Sequence, residues 1–472
     1  MLYRSLPFVL LSSFVYADSA SLPEQHLNLA TKPLKRIEHF DSTKDKPQPH
    51  LVSYQALKQN MLLTQQLLNK AVEIKQWPLV EQLLPIYASF PNKDKTLEKF
   101  ALAGLEKSRG HLDISIEYYR ELIAENPNRL PVRFELATAL FEDNQNEAAE
   151  EQFNKVLSGD VPEYIQQIST AYLNALAKRN QLSFDASFSF LHEKNINNAS
   201  KSHIIENTGF VKNDDMLPKS GKGLHYTFNI EKNFNLVGNH YITLQDSLYG
   251  KSFWNNHDYD DIQNRFSIGY GFRDARKKIA FLPFYEKRWY GTTPYQDNLG
   301  IRTEFNYWIN RQFQILSAIE YAKQNFKQNN RLNGDNFLFS NTLLWLRTPE
   351  QYFFIGTDFN RERTGIQQYS SELKNVRVGW GQEWWKGIST RFILSYGIRQ
   401  YKDKAVLGEI LPLNKTRRDQ ETNFNISVWK RDWHFWGITP KLNYNRRIVR
   451  SNLPSMYSYN KNRFMLVFEK TF

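Results

Sequence analysis

No cysteine occurs anywhere in the 472 residues. That excludes disulfides, thiolate catalysis and cysteine-based metal centres. It also excludes acylation at an N-terminal cysteine, so the chain is not itself a lipoprotein. Long apolar runs are missing as well. No stretch past the first residues approaches about 18 uninterrupted apolar residues, so any crossing of a bilayer has to be made by strands. The 10 histidines are scattered, without HxH or HExxH spacing, and no glycine-rich phosphate cradle or nucleic-acid motif is present. We therefore expect no metal, no cofactor and no nucleic-acid partner. Nor do we expect an enzyme: His240 and Asp246 share one strand but stand about 20 Å apart along it, and His257-Asp258 has no nucleophile beside it.

What is abundant is aromatic: 11 Trp, 25 Tyr and 33 Phe. Yet only 41% of residues are hydrophobic, and the mean hydropathy is −0.59. That combination is too polar for a helical membrane protein. It suits a transmembrane barrel, where every second strand residue faces a polar lumen and aromatic girdles mark the two interfaces. The net charge of +12 suits lipopolysaccharide phosphates or acidic cargo.

Arg4, the apolar run Leu6 to Val15 and the small-residue site Val15-Tyr16-Ala17 predict a signal peptide over residues 1–17. Residues 18–50, punctuated by Pro23, Pro33, Pro47 and Pro49, predict a mobile periplasmic arm. Residues 51–180 read as a helical, periplasmic repeat domain. Phe100 recurs as Phe134, Leu102 as Leu136, Ala103 as Ala137, Ser115 as Ala149, Tyr119 as Phe153 and Leu122 as Val156. The spacing is about 34 residues, with small residues where helices cross and an aromatic where the second helix packs back, the pattern of tetratricopeptide (TPR) repeats. Trp77, Val80, Leu84, Tyr87 and Pro91 look like half of a degenerate capping repeat, and Ile165, Ile168, Tyr172 and Leu176 form the stripe of a last helix. Such a stack holds peptide or protein in a concave groove. Its candidate client-binding residues are Phe100, Lys107, Ser108, Phe134, Thr138, Phe141 and Glu142.

From Leu182 the period switches to two. Phe184, Ala186, Phe188 and Phe190 alternate with Asp185, Ser187 and Ser189, and similar strands follow to the end, about fourteen in all, over residues 181–472. The clearest are 224–232, 298–308 and 418–430. The strand near 279–288 is confused by Pro283. Links alternate between long polar stretches (Leu191 to Gly223, Tyr401 to Arg417, Arg447 to Lys461) and short turns (Asn310-Arg311, Arg431-Asp432), as outer-membrane barrels alternate extracellular loops with periplasmic turns. Trp384, Trp385, Trp433 and Trp436 on the short-turn side suit interface anchors. Asp185, Glu231, Arg265, Arg302, Glu304, Arg377 and Arg399 should line the lumen as paired struts. The closing stretch puts Phe464, Leu466, Phe468 and Phe472 on one face. A strand of this kind with Phe472 at its end resembles the closing strand of bacterial outer-membrane barrels, and the resemblance implies one half of the barrel's seam and an assembly signal for the barrel assembly machinery. The fold class is thus α + β multidomain: an all-α TPR-like domain, then a transmembrane antiparallel β-barrel.

The order of these parts resembles the surface lipoprotein assembly modulators (Slam). Arg109 to Arg120 (RGHLDISIEYYR) resembles that family's first clear repeat. Phe134 to Gln145, with Ala148-Ala149 and Gln152-Phe153, resembles its second. Asn195-Ile196-Asn197-Asn198-Ala199, after the first strand, is similar to the segment found there. The resemblance implies an outer-membrane translocon that moves surface lipoproteins, or related secreted host-iron- or haem-binding proteins, across the outer membrane. It implies client and periplasmic chaperone partners and contact with outer-membrane lipid and lipopolysaccharide. The alternative is a TPR-plus-barrel polysaccharide export porin.

Overall fold

A computed structural model describes residues 54–206, 208–310, 312–407, 411–433, 435 and 437–471. The expected signal peptide, the arm, Trp436 and Phe472 lie outside the described residues.

Among the described residues, eight helices precede the strands: α1 (Tyr54–Gln59), α2 (Met61–Glu73), α3 (Trp77–Ala88), α4 (Lys95–Arg109), α5 (Leu112–Glu125), α6 (Leu130–Glu142), α7 (Asn146–Leu157) and α8 (Glu163–Arg179). Their ends follow local chemistry. Asn60 and Asp94 accept from Leu63 N and Thr96 N, capping α2 and α4, while Gly110, at φ 80°, ends α4 in the left-handed region that glycine enters without a Cβ clash. Helices pair as α2/α3, α4/α5 and α6/α7. The aliphatic and aromatic stripes close two apolar cores, one around Leu68, Val80, Leu84 and Tyr87, the other around Leu122, Leu136, Leu140 and Phe153. Phe100 packs against both. The capping-repeat reading of Trp77 has a concrete partner: a Cβ added to Gly104 would lie 2.5 Å from the Trp77 ring, so the ring occupies the space that glycine leaves.

Fourteen strands follow. The first seven are β1 (Ser183–Glu193), β2 (Gly221–Asn235), β3 (His240–Phe253), β4 (Asp261–Arg273), β5 (Lys277–Tyr290), β6 (Thr293–Trp308) and β7 (Phe313–Phe326). The rest are β8 (Gly334–Thr348), β9 (Gln351–Thr364), β10 (Ser371–Glu383), β11 (Ile388–Leu407), β12 (Leu411–Lys430), β13 (Ile438–Ser451) and β14 (Tyr459–Thr471), with a short helix α9 (Pro454–Tyr457) before the last. They form one closed barrel in which each strand is antiparallel to its chain neighbours and β14 returns to β1. Closure brings the first and last strands of the sheet together, as a sheet in hydrocarbon requires. The alternation has the expected sense: on β6, Leu299, Ile301 and Phe305 point outward and are exposed, while Arg302 and Glu304 are buried.

Three details differ from the sequence reading. Tyr401 to Arg417 is no loop. β11 and β12 continue as a hairpin, pairing Lys404 with Thr416 and Leu407 with Leu411 across bulges. Its charged residues made it read as coil, because beyond the apolar belt both faces of a strand are free to be polar. The link after β5 shrinks to Gly291 and Thr292, both at positive φ, a tight hairpin turn of the primed type. Pro283 does not end β5. The ladder with β4 breaks between Ser267–Phe284 and Tyr270–Phe281, while on the other side Pro283 stays in register with Ile301. A proline has no N–H to donate, and the break falls on one side only.

Candidate functional site

The first helix of the second pair, α4, adjoins α2 and meets α6 through one polar row. From α4, the Lys107 ammonium reaches Thr138 Oγ1 at 2.5 Å, Glu135 Oε2 at 3.2 Å and Glu142 Oε1 at 3.6 Å, all on α6. Lys75, just past α2, adds a second ammonium 3.2 Å from Glu135. Burial works against Glu135's charge, but Lys107 and Lys75 overcome it and hold the carboxyl below its ordinary value. Burial likewise opposes the charge on Lys107, and Glu135 and Glu142 keep it above the ordinary lysine value. The row continues on α8. Phe141 meets Tyr172 edge-on at 4.8 Å, and the Arg179 guanidinium lies 3.7 Å over the Phe141 ring. Burial, with Arg273 nearby, lowers Arg179 to about 10, so it stays cationic at neutral pH.

Of the groove candidates, Lys107, Thr138 and Glu142 come together and Phe141 adjoins them. Phe100 and Phe134 turn into the helix interfaces, edge-on to Tyr119 at 5.8 Å and Phe153 at 6.2 Å. Ser108 donates to its own helix at Leu105 O, 2.6 Å away. The sequence reading omitted Glu135, Lys75 and Arg179. Glu135 was legible, one turn before Thr138 on the same helix face. Lys75 and Arg179 were not, because they arrive from separate helices.

The helices rest on the short-turn rim of the barrel. Asn144 donates to Asp274 O at 2.9 Å, Asn146 to Asn235 Oδ1 at 3.2 Å and Asn239 to Asp143 Oδ2 at 3.2 Å. Asn180 joins Asn235 and Lys232. The exposed Trp384, Trp385 and Trp433 belong to turns on this rim.

Inside the barrel several basic residues are paired. Arg265 on β4 contacts Glu286 on β5 at 2.6 Å and reaches Glu320 on β7 at 2.9 Å. Arg302 shares Glu320 at 3.2 Å and Glu304 at 2.8 Å. Arg377 holds Asp358 at 2.7 Å, and Arg399 and Arg447 hold Glu421 at 2.8 and 3.1 Å. Glu231 accepts from Asn233 at 2.8 Å, and Asp185 stands between Thr471 and Asn229 in the ladders. The Arg265–Glu320 pair skips two intervening strands and so braces the lumen.

On the closing strand, Phe464 and Leu466 are exposed on the outer face, and Phe468 stands opposite Phe188 in the ladder to β1. On the opposite rim the first loop, residues 194–220, is tied inward. Asn195, Ile196 and Asn197 are buried, Asn197 donates to Leu217 O at 2.7 Å, and Lys212 donates to Ser455 O in α9.

An apolar-walled closed barrel with an ion-paired lumen, preceded by stacked helical pairs, defines an outer-membrane β-barrel carrying a TPR-type domain. The family model described as surface lipoprotein assembly modifier matches residues 183–472, and the model of that family's N-terminal TPR repeats matches residues 51–153. A surface lipoprotein assembly modifier 1 of Haemophilus influenzae is 39% identical, over 83% of this chain and 81% of its own length. A second, from Neisseria meningitidis serogroup B, is 32% identical over 98% and 95%. A hemophilin secretion modulator of Acinetobacter baumannii is 24% identical over 85% and 84%. The chain belongs to the surface lipoprotein assembly modifier family. Among solved structures, the barrel of Acinetobacter baumannii OccAB3 aligns with 62% of this chain and 99% of its own at 8% identity and a TM-score of 0.34.

Proposed function

We propose that this protein is an outer-membrane translocon that delivers client proteins, surface lipoproteins or related secreted haem- or iron-binding proteins, to the cell surface. The helical domain lies in the periplasm and receives the client, or a chaperone carrying it, in the row built on Lys107, Glu135, Glu142 and Arg179. The observation that carries this reading is the 39% identity to a surface lipoprotein assembly modifier along both parts of the chain. The seating of the helices on the barrel's short-turn rim supports a hand-over from groove to barrel. Insertion depends on the barrel assembly machinery, and the outer rim meets lipopolysaccharide. No nucleotide is needed, since folding of the client outside biases movement outward.

The test is protease shaving of intact cells with and without the gene, and with a chain lacking residues 18–179. Surface proteins lost on deletion should return with the full chain and not with the truncation. Full recovery with the truncation sinks the groove's role. The polysaccharide-porin alternative predicts a large, steady conductance in a planar bilayer. The bracing of the lumen by Arg265 and Glu320 argues for a small one.

A further inference from the structure

β1 is joined unequally to its two neighbours. Against β2 the ladder runs its whole length, from Ser183–Glu231 to Glu193–Gly221. Against β14 it runs only from Asp185–Thr471 to Ser189–Val467, although β1 continues to Glu193 and β14 begins at Tyr459. Continuing the same register sets Phe190 opposite Leu466, Leu191 opposite Met465, His192 opposite Phe464 and Glu193 opposite Arg463. Side chains obey that register even where the backbone ladder has stopped. Leu191 and Met465 pack in one cluster with Ile196 and Phe253. Glu193 Oε1 lies 2.8 Å from Arg463 Nε, and Glu193 Oε2 lies 3.7 Å from Lys461 Nζ. Lys461 also donates to Asn198 Oδ1 at 2.7 Å, which ties the pair to the root of the first loop. All three charged groups are buried.

The outer half of this seam is therefore closed by side chains on its lumen side. Its outer side carries exposed Phe190, Leu466 and Phe464, so the stretch faces lipid. Hydrocarbon offers no partner for backbone groups that a ladder leaves over, and an added strand satisfies them. We propose that the outer half of the β1–β14 seam is a strand-insertion site for an extended segment of the exported polypeptide, held shut at rest by Glu193, Arg463, Lys461 and Asn198. This rests on the export function proposed above. A segment arriving between the strands would pair its backbone with Phe190–His192 on one side and Phe464–Leu466 on the other. It would part the Glu193 cluster and leave through the wall, without clearing the braced lumen.

The absence of native cysteine makes the test clean. Phe190→Cys with Leu466→Cys places two thiols across the seam. Phe190→Cys with Leu224→Cys places them across a complete rung of the β1–β2 ladder and serves as the control. Each pair is oxidised in cells, and the probe is the set of surface lipoproteins that protease shaving loses when the gene is deleted. The proposal expects the oxidised control to deliver them as the unmodified chain does. The oxidised seam pair should fall to the level of the deletion strain and recover with reductant. Delivery by the oxidised seam pair at the control's level overturns the proposal and leaves the export reading standing.

Spin labels on the same cysteine pairs in nanodiscs test the seam without any client. A broad distance distribution across Phe190/Leu466, broadened further by Glu193→Gln, beside a narrow one across Phe190/Leu224 supports the gate. Equal, narrow distributions overturn it. If the unmodified chain restores no surface protein, the export reading falls, and the spin-label distances still decide whether the seam opens.

Discussion

The sharpest test of the groove is a double-mutant cycle on Glu135 and Lys107. Their nitrogen and oxygen lie 3.2 Å apart, with side chains 15% and 18% exposed, so screening by water is weak. At an effective dielectric of about 20, two charges at that distance attract by roughly 5 kcal/mol, most of it offset by the desolvation that both groups suffer. Lys107 keeps Glu142 at 3.6 Å and Glu135 keeps Lys75 at 3.2 Å, so neither single change leaves a bare buried charge. Glu135→Gln should then destabilise the helical domain by about 2 kcal/mol, within the range for hydrogen bonds to charged groups. Lys107→Met should cost about 1 kcal/mol, because the methionine keeps the stem's packing. The double variant should cost less than the sum by about 1 kcal/mol, the coupling expected of residues in contact.

The pH profile carries a sign. Glu135 is depressed, so its contribution is present above the unfolded carboxylate value and fades as pH falls through the folded one. Lys107 is raised, so its contribution is present below the unfolded lysine value and fades as pH rises through the folded one. The Glu135→Gln penalty should be flat around neutrality and shrink in acid. The assay is urea unfolding of the full chain in detergent, followed by far-UV circular dichroism at the helical band while the barrel stays folded. Additivity of the two changes within about 0.3 kcal/mol would refute the argument that this row is one coupled unit.

Three further outcomes follow from geometry. Gly104→Ala should lower the helical domain's stability by about 1–3 kcal/mol through overpacking, and adding Trp77→Ala should abolish the extra cost of the alanine methyl, both read from the same urea curves. Phe468→Arg should destabilise the barrel by roughly 2–4 kcal/mol if the position sits at mid-bilayer, seen as lost heat-modifiable folded species on gels; normal assembly contradicts a lipid-facing Phe468. Glu320→Ala removes the carboxylate that Arg265 and Arg302 share and should raise single-channel conductance over the native chain, whereas unchanged conductance means these pairs do not brace the lumen.

The strands were legible because each has one apolar and one polar face, and Leu299, Ile301 and Phe305 against Arg302 and Glu304 show why: lipid and lumen impose opposite demands on neighbouring residues. That signal disappears wherever a strand leaves the apolar belt, which is how the β11–β12 extension passed for a loop. The helical pairs were legible from Phe100/Phe134 and Tyr119/Phe153, since repeated packing repeats its residues. Contacts that join distant segments left no trace. Nothing in the spacing of Arg265 and Glu320, of Lys75 and Glu135, or of Glu193 and Arg463 announces that they meet. Nor does any local pattern say that the last strand's ladder to the first stops at Ser189–Val467.

The joint between helices and barrel has a consequence of its own. It is assembled from Asn144, Asn146, Asn180, Asn235 and Asn239 with backbone carbonyls, Asp143, Lys232 and Arg276. The neutral bonds among these contribute about 0.5–1.5 kcal/mol each and are readily exchanged for bonds to water. Part of the joint is charged, at Asp143, Lys232 and Arg276, so those contacts weaken as added salt screens them.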